Sequence, residues 1–144
     1  MQIVIHHNLD EISGRLNRLA GTLGGGLTKP MRAIGGVVES SARRRIAETK
    51  TAPGGKRWAD LAPQTVKAKK GKGGILVAHG NLLGSITHQA AEDSVIVGSV
   101  MGYAVHLQQG TRHMPARPFL GLSGQDYQDI DDLLADWLEG LIHA

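Results

Sequence analysis

The sequence predicts an α+β fold: a small, mostly antiparallel sheet with a central hairpin, covered by N-terminal helices and a C-terminal acidic amphipathic helix. Three observations lead there. Apolar residues recur at helical spacing near both ends, two β-patterned runs separated by a turn lie in the middle, and no internal repeat is visible. At 144 residues the chain suits one compact domain, expected to span residues 1–144.

Met1 to His7 carries loosely alternating β-branched residues and predicts a short strand. Asn8-Leu-Asp-Glu11 then offers a capping box for a helix marked by Ile12, Leu16, Leu19 and Leu23, which three glycines, Gly24 to Gly26, should end. Thr28 is the expected N-cap of the longest helix. Pro30 is tolerated in its first turn, and Met31, Ile34, Val38 and Ile46 mark an apolar stripe running to about Lys50. Gly35-Gly36 inside it should cost roughly 1 kcal/mol per glycine, so close packing against another backbone, or a kink, is expected there.

Ala52-Pro-Gly-Gly55 predicts a type II turn with Gly54 in its third position, after which Trp58 and Leu61 return to the core. Pro63 to Lys69 suits a short helix, and Lys69 to Gly74, rich in charge and glycine, reads as a mobile loop. A helical turn around Asn81 to Ser85 precedes the hairpin strands Ile86 to Ala90 and Ser94 to Val100. Tyr103 to Gln109 suits a short helix closed by Gly110. Met114-Pro115 and Arg117-Pro118 favour extended backbone, because a residue before proline avoids the helical region, and one more strand is expected to start there. Ser123 can cap the last helix with Asp126 at its third position, and Ile130, Leu133, Leu134, Trp137, Leu138 and Leu141 form its apolar stripe.

Charge is distributed unevenly along the chain. The net value is only +3, yet Thr28 to Gly73 holds twelve Lys or Arg against Glu39, Glu48 and Asp60. From Gly124 to Ile142 there are six acids and no Lys or Arg. Separated poles of this kind can attract copies of the same chain. Arg43-Arg44-Arg45 suits solvated helix surface, a protein partner, or DNA passing nearby. No helix-turn-helix or zinc-finger pattern accompanies it, so sequence-specific readout is not expected.

Several function classes lose support. Aromatic content of 3% leaves little material for a stacking platform on single-stranded nucleic acid. With no cysteine there is no disulfide framework, thiolate metal site or cysteine nucleophile, which fits assembly in a cytoplasm. No signal-like N-terminus or long apolar span suggests a membrane. Gly121-Leu-Ser-Gly124 is one residue too short for a nucleophile elbow, and Lys72 is followed by Gly73 rather than the Ser or Thr of a phosphate loop. The seven histidines lack metal-ligand pairing, and Asp126 to Asp136 lacks the glycine of a calcium loop. No catalytic residue, metal or cofactor is therefore expected.

Three ordered blocks carry a resemblance. They are Pro53-Gly-Gly-Lys-Arg-Trp-Ala-Asp-Leu-Ala-Pro-Gln-Thr65; Ile75-Leu76 with Gly80-Asn-Leu-Leu-Gly-Ser-Ile86; and Val97-Gly-Ser99 through Tyr103-Ala104, Gln108-Gln-Gly110 and Met114-Pro-Ala-Arg-Pro-Phe-Leu-Gly-Leu-Ser123. This half of the chain resembles the virion morphogenesis or tail completion family of Mu-like and related tailed phages. The resemblance implies a structural virion protein without catalytic residues, a tail completion or tail terminator subunit. It would assemble in the host cytoplasm and form a ring, guessed to be a hexamer, at the head–tail junction. Its expected partners are copies of itself, the tail tube and neck or connector proteins, with genomic DNA nearby. A different neck or head-closure connector protein and a small basic DNA-binding protein are the alternatives. The residues expected at interfaces are Arg43, Arg44, Arg45, Pro115, Arg117, Phe119, Asp129, Asp132 and Asp136. For Arg117, fixed between Ala116 and Pro118, a carboxylate or carbonyl target within the subunit is as plausible as one across an interface.

Overall fold

The structure is a computed structural model that describes residues 2–6, 18, 21, 27–70, 72–77, 80–92 and 94–142. The helix expected from Asn8 to Leu23 lies outside these residues, apart from Arg18 and Gly21, which are both helical. The described elements are strand β1 (Gln2–His6), helix α1 (Thr28–Arg44), a π-helical turn (Arg45–Thr49), α2 (Pro63–Lys69) and α3 (Asn81–Ser85). Strands β2 (Ile86–Ala90) and β3 (Ser94–Ser99), α4 (Ala104–Gln109) and α5 (Gly124–Ile142) follow.

The three strands form one antiparallel sheet in the order β1-β3-β2. The hairpin pairs Ile86 with Ser99, His88 with Val97 and Ala90 with Val95, and β1 closes the other side of β3 with Ile3 opposite Val97. The predicted architecture is therefore present, with the N-terminal strand on an edge and the β-branched run Val95-Ile-Val97 at the centre. The alternation of β3 turns Val95 and Val97 toward α1, where both are fully buried.

Helix α1 forms because Met31, Ile34, Val38 and Ala42 repeat every three or four residues, and all four are buried. It packs on β2, β3 and α5, which makes it the central element. Thr28 is the first helical residue rather than the cap. Leu27 precedes the helix, accepts from the Met31 amide and is itself buried, so burial of an apolar side chain sets the start in place of a hydroxyl cap. At the other end the helix widens into the π-helical turn, where the Lys50 amide donates to the Arg45 carbonyl at 2.9 Å. Two sequence neighbours, Arg45 and Ile46, are both buried there.

Gly35 allows a close approach, though to side chains and not to another backbone. A Cβ there would lie 2.5 Å from Cδ2 of His88 and 2.7 Å from Cγ2 of Val95, whereas a Cβ on Gly36 would meet nothing within 4 Å. At Ala52 to Gly55 the left-handed residue is Gly55 (φ 93°) and not Gly54, because the tight turn continues into a small hairpin in which Ala52 donates to Lys56 and Thr51 bridges Arg57.

Candidate functional site

The segment after Met114 does not become the expected further strand. It runs as an irregular strap from Arg117 to Gly121, with bends at Leu120 and Gly121, and side chains take the place that a neighbouring strand would occupy. Trp58 Nε1 donates to the Pro118 carbonyl at 2.9 Å. Arg45 Nη1 donates to the carbonyls of Phe119 (2.9 Å) and Gly121 (3.2 Å). Gln108 accepts from the amides of Phe119 and Leu120 and donates to the Leu120 carbonyl at 2.9 Å. The Arg117 amide reaches the Leu107 carbonyl. Backbone polar groups need partners once buried, and here three side chains, those of Trp58, Arg45 and Gln108, supply most of them.

Two arginines hold the ends of this strap. Arg117, only 6% exposed, donates from Nε to the Ala59 carbonyl and from Nη2 to the Asp60 carbonyl, both at 3.0 Å. Arg45, 5% exposed, donates from Nη2 to Ser41 Oγ and to Asp126 Oδ2 at 2.7 Å, besides the two strap carbonyls. Asp126, 3% exposed, also accepts from the Ser123 amide while Ser123 Oγ accepts from the Asp126 amide, so the predicted cap of α5 is a reciprocal one. Burial pushes the Asp126 carboxyl up. The Ser123 amide, the Ser41 hydroxyl and the Arg45 guanidinium outweigh it and hold the carboxyl below its ordinary value.

Beside the strap lies an open, mainly apolar groove of about 500 Å³, walled by Leu61 and Thr65, by Leu76 and Val77, and by Tyr103, Leu107, Met114 and Pro115. Leu76 has φ 60°, a left-handed conformation that L side chains seldom adopt. Two lysines fix the turn around it. Lys69 Nζ donates to the carbonyls of Gly74 and Val77, and Lys50 Nζ donates to those of Ile46 and Ile75. Burial and then the nearby Lys69 ammonium lower the Lys50 ammonium below its usual range. The described part of the glycine-lysine loop is thus tied down at its C-terminal end.

The residues singled out from the sequence separate into two groups. Arg45, Arg117 and Phe119 are interior, Phe119 fully so, and their partners belong to the same chain. Arg43 pairs with Glu39 at 2.8 Å and donates to the Ile86 carbonyl, while Glu39 also meets the His88 ring. Arg44, Pro115, Asp132 and Asp136 are exposed and Asp129 is half-buried. Pro115 lines the groove, and Arg44 and Asp129 flank a shallow cleft between α1 and α5.

Sequence reasoning missed Arg45 as the hub. The signal was present, since 31, 34, 38, 42 and 45 continue one helical face, on which Arg45 falls and Arg44 does not. Gln108 was visible only as part of a motif, because a glutamine that replaces a strand looks like any polar helix residue. Among the described residues, no group of three His, Asp or Glu side chains could hold a metal ion, and no helix is long and apolar enough to cross a membrane.

No solved structure matches this chain. The Mu-like prophage FluMu G protein 2 of Haemophilus influenzae is 33% identical over 143 residues, which is 94% of this chain and 95% of the relative. G protein 1 of the same organism is 32% identical over 108 residues, 72% of this chain and 73% of its own. Protein G of Escherichia phage Mu, provisionally named for capsid assembly, is 39% identical over 70 residues, 43% of this chain and 45% of its own. The model of the phage virion morphogenesis family matches residues 7–139, which takes in the strap, both of its arginine anchors and the groove, and the chain belongs to that family.

Proposed function

We propose that this protein is a non-enzymatic subunit of a ring at the head–tail junction of a tailed phage, where it completes or terminates the tail. The observation that carries this reading is the use made of the buried polar side chains. Arg45, Arg117, Trp58, Gln108 and Asp126 are all engaged in fixing backbone, and none is left to act on a substrate. The result is a rigid surface next to an open apolar groove, which suits docking better than chemistry. Segregated charge adds to this, because a closed heterologous ring needs two different patches that attract one another.

Deleting the gene from a phage that carries it should leave filled heads and tails that do not join, or tails of abnormal length. Infectious particles of normal shape and yield would overturn the reading. A head-side connector is the second reading, favoured by the capsid-assembly name of the Mu relative. Labelling the subunit in intact particles separates the two. The DNA-binding alternative draws on the basic segment, but two of its three consecutive arginines are occupied by Glu39 and Asp126. A salt titration of DNA binding tests it, since phosphate contacts weaken steeply with salt.

A further inference from the structure

We infer that the groove between α2 and α4 receives the exposed acidic face of α5 from a second copy of this chain. The inference rests on the ring reading above and names the contact that would build the ring. Four large hydrophobic side chains are exposed among the described residues, and the two aromatic ones are divided between these surfaces: Tyr103, 42% exposed, lines the groove, and Tyr127, 59% exposed, stands on the first turns of α5. Among the described residues, none of α5 lines the groove of its own chain. A subunit that offers its α5 to a neighbour therefore keeps its own groove open for the next, which is the head-to-tail arrangement that closes into rings.

Charge selects the partner. On α5 the exposed half of the helix carries Tyr127 and Asp131 towards one side and Asp132 and Asp136 towards the other, and nothing basic lies anywhere on that helix. The groove wall is basic on balance: the acid Asp60 is in the lining, but so is Lys69, whose ammonium also donates to two carbonyls, and Lys67 is exposed on α2 and Arg112 next to the lining residue His113. Tyr127 and Asp131, one turn and about 6 Å apart along the helix axis, point the same way and can enter one groove together. Leu76, held in its left-handed conformation by two lysines, shows where the chain tolerates backbone strain, and it faces this groove. Strain of that kind is retained at surfaces with a task.

The absence of cysteine makes the contact directly testable. Particles are prepared from mixtures of Tyr103→Cys and Tyr127→Cys subunits and treated with a short bis-maleimide. The expected result is a crosslinked Tyr103–Tyr127 dimer at about tenfold the yield of a Thr87→Cys and Tyr127→Cys control, Thr87 being exposed on the sheet. Equal yields would overturn the inference.

If the cysteine variants are poorly incorporated, charge reversal gives a second measurement. Asp131→Lys with Asp132→Lys should weaken subunit association about tenfold, as should Lys67→Glu with Arg112→Glu, and all four together should restore most of it. Additive loss in the fourfold variant would equally overturn the contact. The location of the labelled subunit is read separately from the crosslink. A subunit at the junction without this crosslink removes the inference alone, and a crosslinked subunit found elsewhere in the particle removes the junction reading alone.

Discussion

Arg45 and Asp126 form a buried ion pair, Nη2 to Oδ2 2.7 Å, across a separation of 81 residues. The pair ties the end of the central helix to the start of the C-terminal one, and the same guanidinium holds two carbonyls of the strap between them. Desolvating two charges is costly, so such a pair persists only when its remaining donors and acceptors are satisfied. Here the Ser41 hydroxyl and the Ser123 amide complete the set, and no buried side-chain polar atom among the described residues lacks a partner.

Removing both members should therefore cost less than the sum of removing each. Arg45→Met leaves Asp126 buried without its cation and should destabilise the fold by about 3–5 kcal/mol, with Asp126→Asn in a similar range. The double variant should lose less than the two single losses added together. Denaturant melts of the four proteins measure this coupling, and simple additivity would show that the pair does not act as a unit.

Acid should weaken the protein through Asp126. Because its folded carboxyl titrates below the unfolded one, its contribution is fully present above the unfolded value of about 3.9. It is lost as pH falls from there through the lower folded value. Melting curves taken between neutral pH and strong acid should show Asp126→Asn with a flatter acid limb than the parent. Parallel limbs would assign the acid sensitivity to other groups.

Adjacent glycines of α1 should respond with opposite sign. Gly35→Ala pushes a methyl into His88 and Val95 and should cost about 1–3 kcal/mol despite the better helix former. Gly36→Ala has open space and should gain up to about 1 kcal/mol. Thermal melts of the two variants give the comparison.

The strap should depend on Gln108 as strongly as on a core residue. Gln108→Leu strands two amides and one carbonyl, each worth about 1–3 kcal/mol if left unsatisfied. Gln109→Leu, on the neighbouring exposed position, should be near neutral. Hydrogen exchange at Phe119 and Leu120 provides a local reading, with faster exchange expected only in the Gln108 variant.

Fold class and the order of the described elements, apart from the strand expected after Met114, followed from local sequence pattern. Apolar spacing located α1 and α5, the paired β-branched runs located the hairpin, and Ser123 with Asp126 marked the cap between strap and helix. The role of the Arg43 to Arg45 run did not follow from composition. Three identical side chains in sequence have three different environments, paired at the rim, exposed, and buried, because successive helical residues point about 100° apart.

What the sequence determined by itself was the set of local choices, namely periodicity, turns, the helix cap, and the motif order that places the chain in a family of virion morphogenesis proteins. What only the tertiary structure decided was which polar side chains are interior, and that the segment from Arg117 to Gly121 is a strap and not a strand. The reason is physical. A backbone group accepts any suitably placed donor, so whether its partner is a neighbouring strand or the side chains of Trp58, Gln108 and Arg45 depends on distances set by packing between residues far apart in the chain.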